Sequence, residues 1–348
     1  MNLNQLQATA DLLVKPGKGI LAADESLPTI EKRFRRVGIS ATAENRHAYR
    51  QMLITTPGLG QFISGVILFD ETIRQKDAAG TPFVDLLKHE RIIPGIKVDH
   101  GAKAFAGFPG EKITEGLDGL RERLAEYGHL GARFAKWRAV IALDATRPSR
   151  TCLLANAYAL ARFAALSQEA GLVPVVEPEI LMDGDHALER HAEVTETTLR
   201  AVFQALGEHR VYLEGLLLKT NMILPGTTCP LQATVDQVAQ ATAQSMLRTV
   251  PAAVQGIVFL SGGQTDVAAT EHLAALNHLG KFPWELSFSF GRALQTSALE
   301  AWKGLPENIG AAQKALFHRA RCNAAARFGT RLDGWKDEAT KAPVQNAN

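Results

Sequence analysis

Eight short apolar segments recur along this chain, beginning near positions 18, 65, 94, 133, 173, 212, 255 and 285, at intervals of 29 to 47 residues. Each interval has room for one helix and two loops, so the pattern is a strand followed by a helix, repeated. No shift in composition separates the units, and 348 residues suit one closed barrel of this kind. The expected fold class is α/β: a single-domain (β/α)8 TIM barrel over residues 1–328, followed by a loose polar C-terminal tail over 329–348. An open doubly wound sheet is the rival. No GxGxxG follows the first segment and there is no Walker sequence, which places the barrel ahead.

The strands read as Lys18–Asp24, Gly65–Glu71, Pro94–Asp99, Arg133–Ala142, Val173–Ile180, Tyr212–Asn221, Gly256–Ser261 and Glu285–Phe290. Helices are expected over Glu31–Val37, Ala43–Thr55, Leu153–Ala170, His186–Glu208 and Thr234–Thr249, with two more after Arg292. Another carries Leu117, Leu120 and Leu124 and should stop at Gly128.

With 46% hydrophobic and 21% charged residues the chain has ordinary globular usage, and no run approaches the roughly 18 apolar residues of a membrane span. The expectation is a soluble protein without a membrane partner. A formal charge of +2 gives no footprint for nucleic acid. Cys152, Cys229 and Cys322 lack CxxC spacing and read as free thiols in a reducing compartment. Met1 to Val14 show neither a basic start nor an uninterrupted apolar stretch, so no signal peptide is expected and the cytoplasm is the default.

The segment 212–221, Tyr-Leu-Glu-Gly-Leu-Leu-Leu-Lys-Thr-Asn, places a lysine inside an apolar run. Alternation sets Lys219 on one face with Leu217 and Gly215, and Leu216 and Leu218 on the other, as in a central strand buried on both faces. An ammonium in such a place costs several kcal/mol unless it is paired or neutralised. Other strand ends carry the charges that can do this: Asp24, Lys97 with Asp99, Lys136 with Arg138, and Glu177 with Glu179. Each pair is i, i+2 and so shares a face, and in a barrel these ends converge on one mouth.

A buried ion network that only braces the barrel is the bland account; apolar replacements are often as stable, which favours chemistry. Desolvation and a neighbouring cation such as Lys136 disfavour the ammonium form of Lys219 and expose its lone pair. The amine can then attack a ketone and form an iminium, an electron sink for breaking an adjacent carbon–carbon bond. Glu177 or Glu179 can protonate the departing carbinolamine hydroxyl, and Asp24 can take a proton from a substrate alcohol. Ser261-Gly262-Gly263 after the seventh strand and Gly291-Arg292 after the eighth are positions where barrels hold phosphate.

Eight strings in order carry a resemblance to the class I, Schiff-base fructose-bisphosphate aldolases. They are Gly-Ile-Leu-Ala-Ala-Asp-Glu-Ser (19–26), Gly-Val-Ile-Leu-Phe (65–69), Gly-Ile-Lys-Val-Asp (95–99), Phe-Ala-Lys-Trp-Arg (134–138), Val-Glu-Pro-Glu-Ile-Leu (176–181), Leu-Leu-Lys-Thr-Asn-Met (217–222), Phe-Leu-Ser-Gly-Gly-Gln (259–264) and Gly-Arg-Ala-Leu-Gln (291–295). The resemblance implies that Lys219 is the Schiff-base lysine, Glu177 the acid and base of the imine steps, and Asp24 the base at the C4 hydroxyl, with Glu179 and Lys136 as charge partners. It implies a C1 phosphate on Ser261, Gly262, Gly291 and Arg292, and the sugar's other phosphate on Lys97, Arg138 and Ser26. The implied reaction is reversible cleavage of fructose 1,6-bisphosphate without metal or other cofactor, in glycolysis and gluconeogenesis, by a homotetramer.

Departures from the family pattern are His100 and Thr220, where lysine and proline are usual, and Leu27-Pro28, where Pro28 is expected to stiffen a loop near the substrate. The sequence ends Pro-Val-Gln-Asn-Ala-Asn, without the terminal tyrosine many members use in proton exchange. Other readings are a zinc-dependent aldolase, a transaldolase-type transferase with one phosphate site, and a barrel that only binds. His186 and His191, five apart on an expected helix, do not share a face and read as surface histidines rather than metal ligands.

Overall fold

Leu6, Ala10 and Leu13 repeat at helical spacing, and in the computed structural model, which describes residues 2–330, they form the buried stripe of a helix that precedes the first strand. In chain order the elements are α1 (Leu3–Leu13), β1 (Gly19–Ala23), α2 (Leu27–Arg36), α3 (Ala43–Ile54), β2 (Ile63–Leu68), α4 (Asp70–Ile73), α5 (Phe83–His89) and β3 (Ile93–Lys97). A hairpin, β4 (Ala102–Ala104) and β5 (Lys112–Thr114), leads to α6 (Leu120–His129), β6 (Phe134–Ile141), α7 (Arg150–Glu169), β7 (Val173–Ile180), α8 (Leu188–Glu208) and β8 (Leu217–Thr220). The chain continues through α9 (Val235–Thr249), β9 (Gly256–Phe259), α10 (Asp266–His278), β10 (Glu285–Phe290), α11 (Arg292–Trp302) and α12 (Ile309–Ala326). The part of the expected tail from Arg331 on, including the chain's last residue, lies outside the described residues.

Eight of the strands, all parallel to their neighbours, close a barrel in the order β1-β10-β9-β8-β7-β6-β3-β2. Ile20, Ile67, Phe134, Val173, Val175, Leu217 and Val258 fill its interior, and Leu6, Ala10 and Leu13 of α1 pack against them from the N-terminal end. Phe134 fits because β3 carries a glycine: a Cβ at Gly95 would lie 2.2 Å from its ring. The polar end of the barrel is thus the C-terminal one. Trp137, out of phase with Lys136, packs outward, its ring centroid 5.7 Å from that of Phe163 on α7.

Four local expectations change. The Lys219 strand is confined to Leu217–Thr220, because Leu213–Gly215 is a 3-10 turn tied down by the Gln168 amide, which donates to the carbonyls of Tyr212 and Gly215. Gly215 therefore does not share the strand face with Lys219. Pro28 stands in the first turn of α2 rather than in a loop, where its missing N–H is not needed. Helix α6 runs through Gly128, and the chain turns instead at Gly131, with φ of 109°. His186 and His191 are buried, not on the surface.

The reason for the last difference is that α8 begins only at Leu188. His186 belongs to a loop bound to the next strand's exit: Gly226 N–H donates to its carbonyl at 2.8 Å. His191 faces the same segment, with Leu224 N–H donating to its Nδ1 at 2.9 Å, and the two rings stand 5.7 Å apart. Burial above all, helped by the neighbouring His186, pushes His191 down to about 3. Burial likewise lowers His272 to about 4, its Nδ1 2.7 Å from the Gln264 amide oxygen.

These histidines make the fold acid-sensitive. The unfolded chain takes up protons on them below about pH 6.5, whereas the folded chain does not until far lower. Stability is therefore full above that pH and falls on acidification, by about 1.4 kcal/mol per pH unit for each ring. Denaturant titrations at pH 7, 6 and 5 should show this slope, and His272→Gln should remove the part that belongs to its ring.

Candidate active site

Because the barrel interior is apolar below, every inward charge collects at the C-terminal mouth. Lys136 on β6 is the hub. Its Nζ lies 2.7 Å from Asp24, just past β1, and 3.2 Å from Glu177 on β7. Glu177 also reaches Lys219 on β8, at 3.0 Å. Lys136, Glu177 and Lys219 are buried, and the Asp24 side chain is 12% exposed. The sheet register brings these groups together: Arg138 is level with Glu177, and Lys97 with Lys136.

Burial alone would raise Asp24, but Lys136 and Lys219 outweigh it and hold the carboxyl well below the usual carboxylate range. Glu177 is also lowered, with burial opposed by Lys136, Lys219 and Arg138. Lys136 moves up in return, because Asp24, Glu177 and Asp99 more than offset its desolvation. Both carboxyls are therefore ionised and Lys136 is a firm cation. One atom of the cluster is unsatisfied: Glu177 Oε2 is buried and accepts no hydrogen bond among the described residues, since its contact with Lys136 lacks hydrogen-bond alignment. That leaves a lone pair in the mouth, on the other oxygen of the carboxylate that touches Lys219.

Of the two carboxylates between which the sequence leaves a choice, Glu177 is the one brought to Lys219. Glu179 accepts from Arg138 Nε instead. Lys97 pairs with Asp99 at 2.7 Å, and Ser26 stands at the N-terminus of α2 with its hydroxyl 3.1 Å from that of Thr29. Ser261, Gly262, Gly291 and Arg292 follow β9 and β10. All twelve expected site residues line one cavity of about 1340 Å³.

Arg292 is the first residue of α11, which starts without a side-chain cap. Burial and the nearby Arg33 lower its affinity for a proton, and no salt bridge to it forms among the described residues. A helix N-terminus with open N–H groups beside an unpaired guanidinium is suited to holding an anion.

Sequence reasoning missed Lys32, Arg33, Arg36 and Ser289, which line the same cavity. The signals were present. Thr29, Lys32, Arg33 and Arg36 fall on one helical face, and in Glu285–Phe290 the serines alternate with outward phenylalanines, so Ser289 faces inward. Ser289 is buried and its hydroxyl has no partner among the described residues. Glu25, next to Asp24, points away from the cluster and is held by Arg33 and Arg50.

Comparisons with known proteins match this arrangement to one family. The family model described as fructose-bisphosphate aldolase class-I matches residues 5–347. The chain is 57% identical over 330 residues to a probable fructose-bisphosphate aldolase class 1 of Xanthomonas campestris pv. campestris, covering 94% of this chain and 99% of the relative. It is 53% identical over 329 residues to a fructose-bisphosphate aldolase of Dictyostelium discoideum, covering 94% and 92%. Among solved structures, the fructose-bisphosphate aldolase of Plasmodium falciparum, crystallised with TRAP and a small-molecule inhibitor, superposes with a TM-score of 0.94 at 49% identity, covering 95% of this chain and 96% of that one.

The electrostatics of the mouth give a direct test. Lys136→Met removes the cation shared by two buried carboxylates, which should cost about 3–5 kcal/mol at neutral pH. In the wild type, stability from the depressed Asp24 and Glu177 is present above the carboxylate range and lost below it. In the variant the carboxyls protonate more easily folded than unfolded, so stability should rise on acidification through pH 5. Denaturant midpoints at pH 7 and pH 5 read both signs.

Proposed function

The chain belongs to the class I fructose-bisphosphate aldolase family, whose members are lyases, and we propose that it cleaves fructose 1,6-bisphosphate reversibly through an imine on Lys219, without a metal. The observation that carries this reading is the 3.0 Å contact between Lys219 and a buried, ionised Glu177. A lysine so placed has a base at hand for the proton it must lose, and that base can return the proton one step later.

The steps follow from the geometry. Lys219 passes one proton to Glu177 and its freed amine attacks the ketone carbon C2, after which a second proton moves from the nitrogen to the new alkoxide and gives the carbinolamine. Glu177 then returns its proton to the carbinolamine hydroxyl, which leaves as water, and the iminium remains. Asp24, kept ionised by Lys136, accepts the proton of the C4 hydroxyl. The C3–C4 bonding pair moves into the iminium, leaving an enamine and free glyceraldehyde 3-phosphate. A proton is then added at C3, and water hydrolyses the iminium to dihydroxyacetone phosphate and the amine. Lys136 bridges the two carboxylates and offsets whichever carries charge at each stage, with Glu179 holding Arg138 beside them.

Two anions bracket this chemistry in the reading we favour. The C1 phosphate is assigned to Ser261, Gly262, Gly291 and Arg292, where a helix N-terminus supports it. The distal phosphate is assigned to Lys97 and Arg138, on strands nearly across the barrel, and to Ser26 at the start of α2. Two sites distinguish a bisphosphate aldolase from a transferase that needs one. The chain contains no helix, among the described residues, long and apolar enough to cross a membrane. A cytoplasmic homotetramer serving glycolysis and gluconeogenesis completes the proposal, on the strength of the family.

The partial reactions separate the roles. When dihydroxyacetone phosphate labelled with oxygen-18 at its carbonyl forms an imine, the label is lost to water. Glu177→Gln should slow both this wash-out and cleavage by about 10²–10⁴-fold, whereas Asp24→Asn should slow cleavage by a similar factor and spare the wash-out. Cleavage should be unaffected by EDTA. Wash-out at the wild-type rate in Lys219→Met would contradict the assignment.

A further inference from the structure

His100 is an exposed imidazole on the wall of the cavity next to Lys97, and no step above uses it. Its position is built. Its backbone N–H donates to the Glu115 carbonyl at 2.9 Å, and the ring lies over Gly116, where a Cβ would come within 3.2 Å of Cγ. The charges that face it come from three elements. Lys97 and Asp99 belong to its own strand and the loop that follows, Glu115 follows β5, and Arg123 stands on α6.

Those charges are already committed. Lys97 Nζ binds the Asp99 carboxylate at 2.7 Å and the Asp99 carbonyl at 2.6 Å. Arg123 donates to the Val98 carbonyl at 2.7 Å and to that of Gly116. The groups that face His100, two cations and two carboxylates, sum to about neutral, and a protonated imidazole would add a positive charge for a phosphate dianion arriving beside Lys97.

We propose that His100 is a specificity-determining contact for the distal phosphate, and that binding of a phosphate dianion beside Lys97 is coupled to proton uptake at this imidazole. Partial desolvation against the wall, with Arg123 and Lys97, lowers His100 from its ordinary value, so the ring is free to accept the proton. By linkage, a ligand that binds the protonated form raises the ring's titration midpoint, and its affinity rises as pH falls. Selection for the doubly phosphorylated ketose is therefore strongest at mildly acidic pH. This deepens the proposed function and rests on it for the identity of the ligand.

The test is an NMR titration of the His100 C2 proton, assigned by its loss in His100→Gln, with the full chain. The probes are hexitol 1,6-bisphosphate, which cannot form an imine, and dihydroxyacetone phosphate, which lacks the distal phosphate. The bisphosphate should raise the midpoint by about one unit, and dihydroxyacetone phosphate should leave it in place. The ratio of the two affinities should rise about three- to tenfold between pH 8 and pH 6 in the wild type. It should be nearly flat in His100→Gln, and high and flat in His100→Lys, which carries the charge permanently. An unmoved midpoint, or the same pH slope in wild type and both variants, overturns the inference. Because the hexitol does not react with Lys219, this outcome is independent of whether the imine assignment holds.

Discussion

Four charged groups are buried or nearly so at the mouth of an otherwise apolar barrel, and their mutual contacts make them tolerable there. Lys136 holds Asp24 and Glu177, and Glu177 holds Lys219. Removing Lys136 would strip Asp24 of its direct partner, and removing Glu177 would do the same to Lys219, each at several kcal/mol. An apolar plug of the same volume would be at least as stable by the same principle. The charges are therefore best understood through what they do together: they keep two carboxylates ionised at fixed places around one amine. The fold serves this by closing the far end with α1 and Phe134, so that polarity is confined to one side.

Around that cluster the cavity is asymmetric. On the side of β9 and β10 a solvent-reachable Arg292, without a salt bridge among the described residues, sits at the start of α11, and partial desolvation with Arg33 nearby makes it a cation in need of an anion. On the side of β3 the cations Lys97 and Arg123 are satisfied by their own surroundings. The first side is prepared for charge before a ligand arrives. Beside Lys97 the second gains charge by taking up a proton, which is the role inferred for His100.

Much of this was legible in the sequence because the barrel interior imposes period two on short segments. Val173–Ile180 and Glu285–Phe290 begin and end where alternation says they should, and every strand-end charge read as inward lines the cavity. What was not legible depends on contacts between distant segments. The 3-10 turn before Lys219 exists because Gln168, on another helix, binds its backbone. His186 and His191 are buried by the loop after β8, which helical spacing does not report. The hairpin β4–β5 is three residues a side, too short for a pattern. Helix α1 and the basic face of α2 do carry helical periodicity, but periodicity alone does not say that the first closes the barrel or that the second faces the cavity.

The most direct measurement on the central claim is reductive capture of the intermediate. The protein is incubated with dihydroxyacetone phosphate in the presence of EDTA, reduced with borohydride, digested, and searched by mass spectrometry for the modified peptide. The account predicts one reduced adduct, on Lys219, with loss of cleavage in proportion to its formation. An adduct on Lys136 or Lys97 instead, or full inactivation by EDTA with no adduct at all, would contradict it.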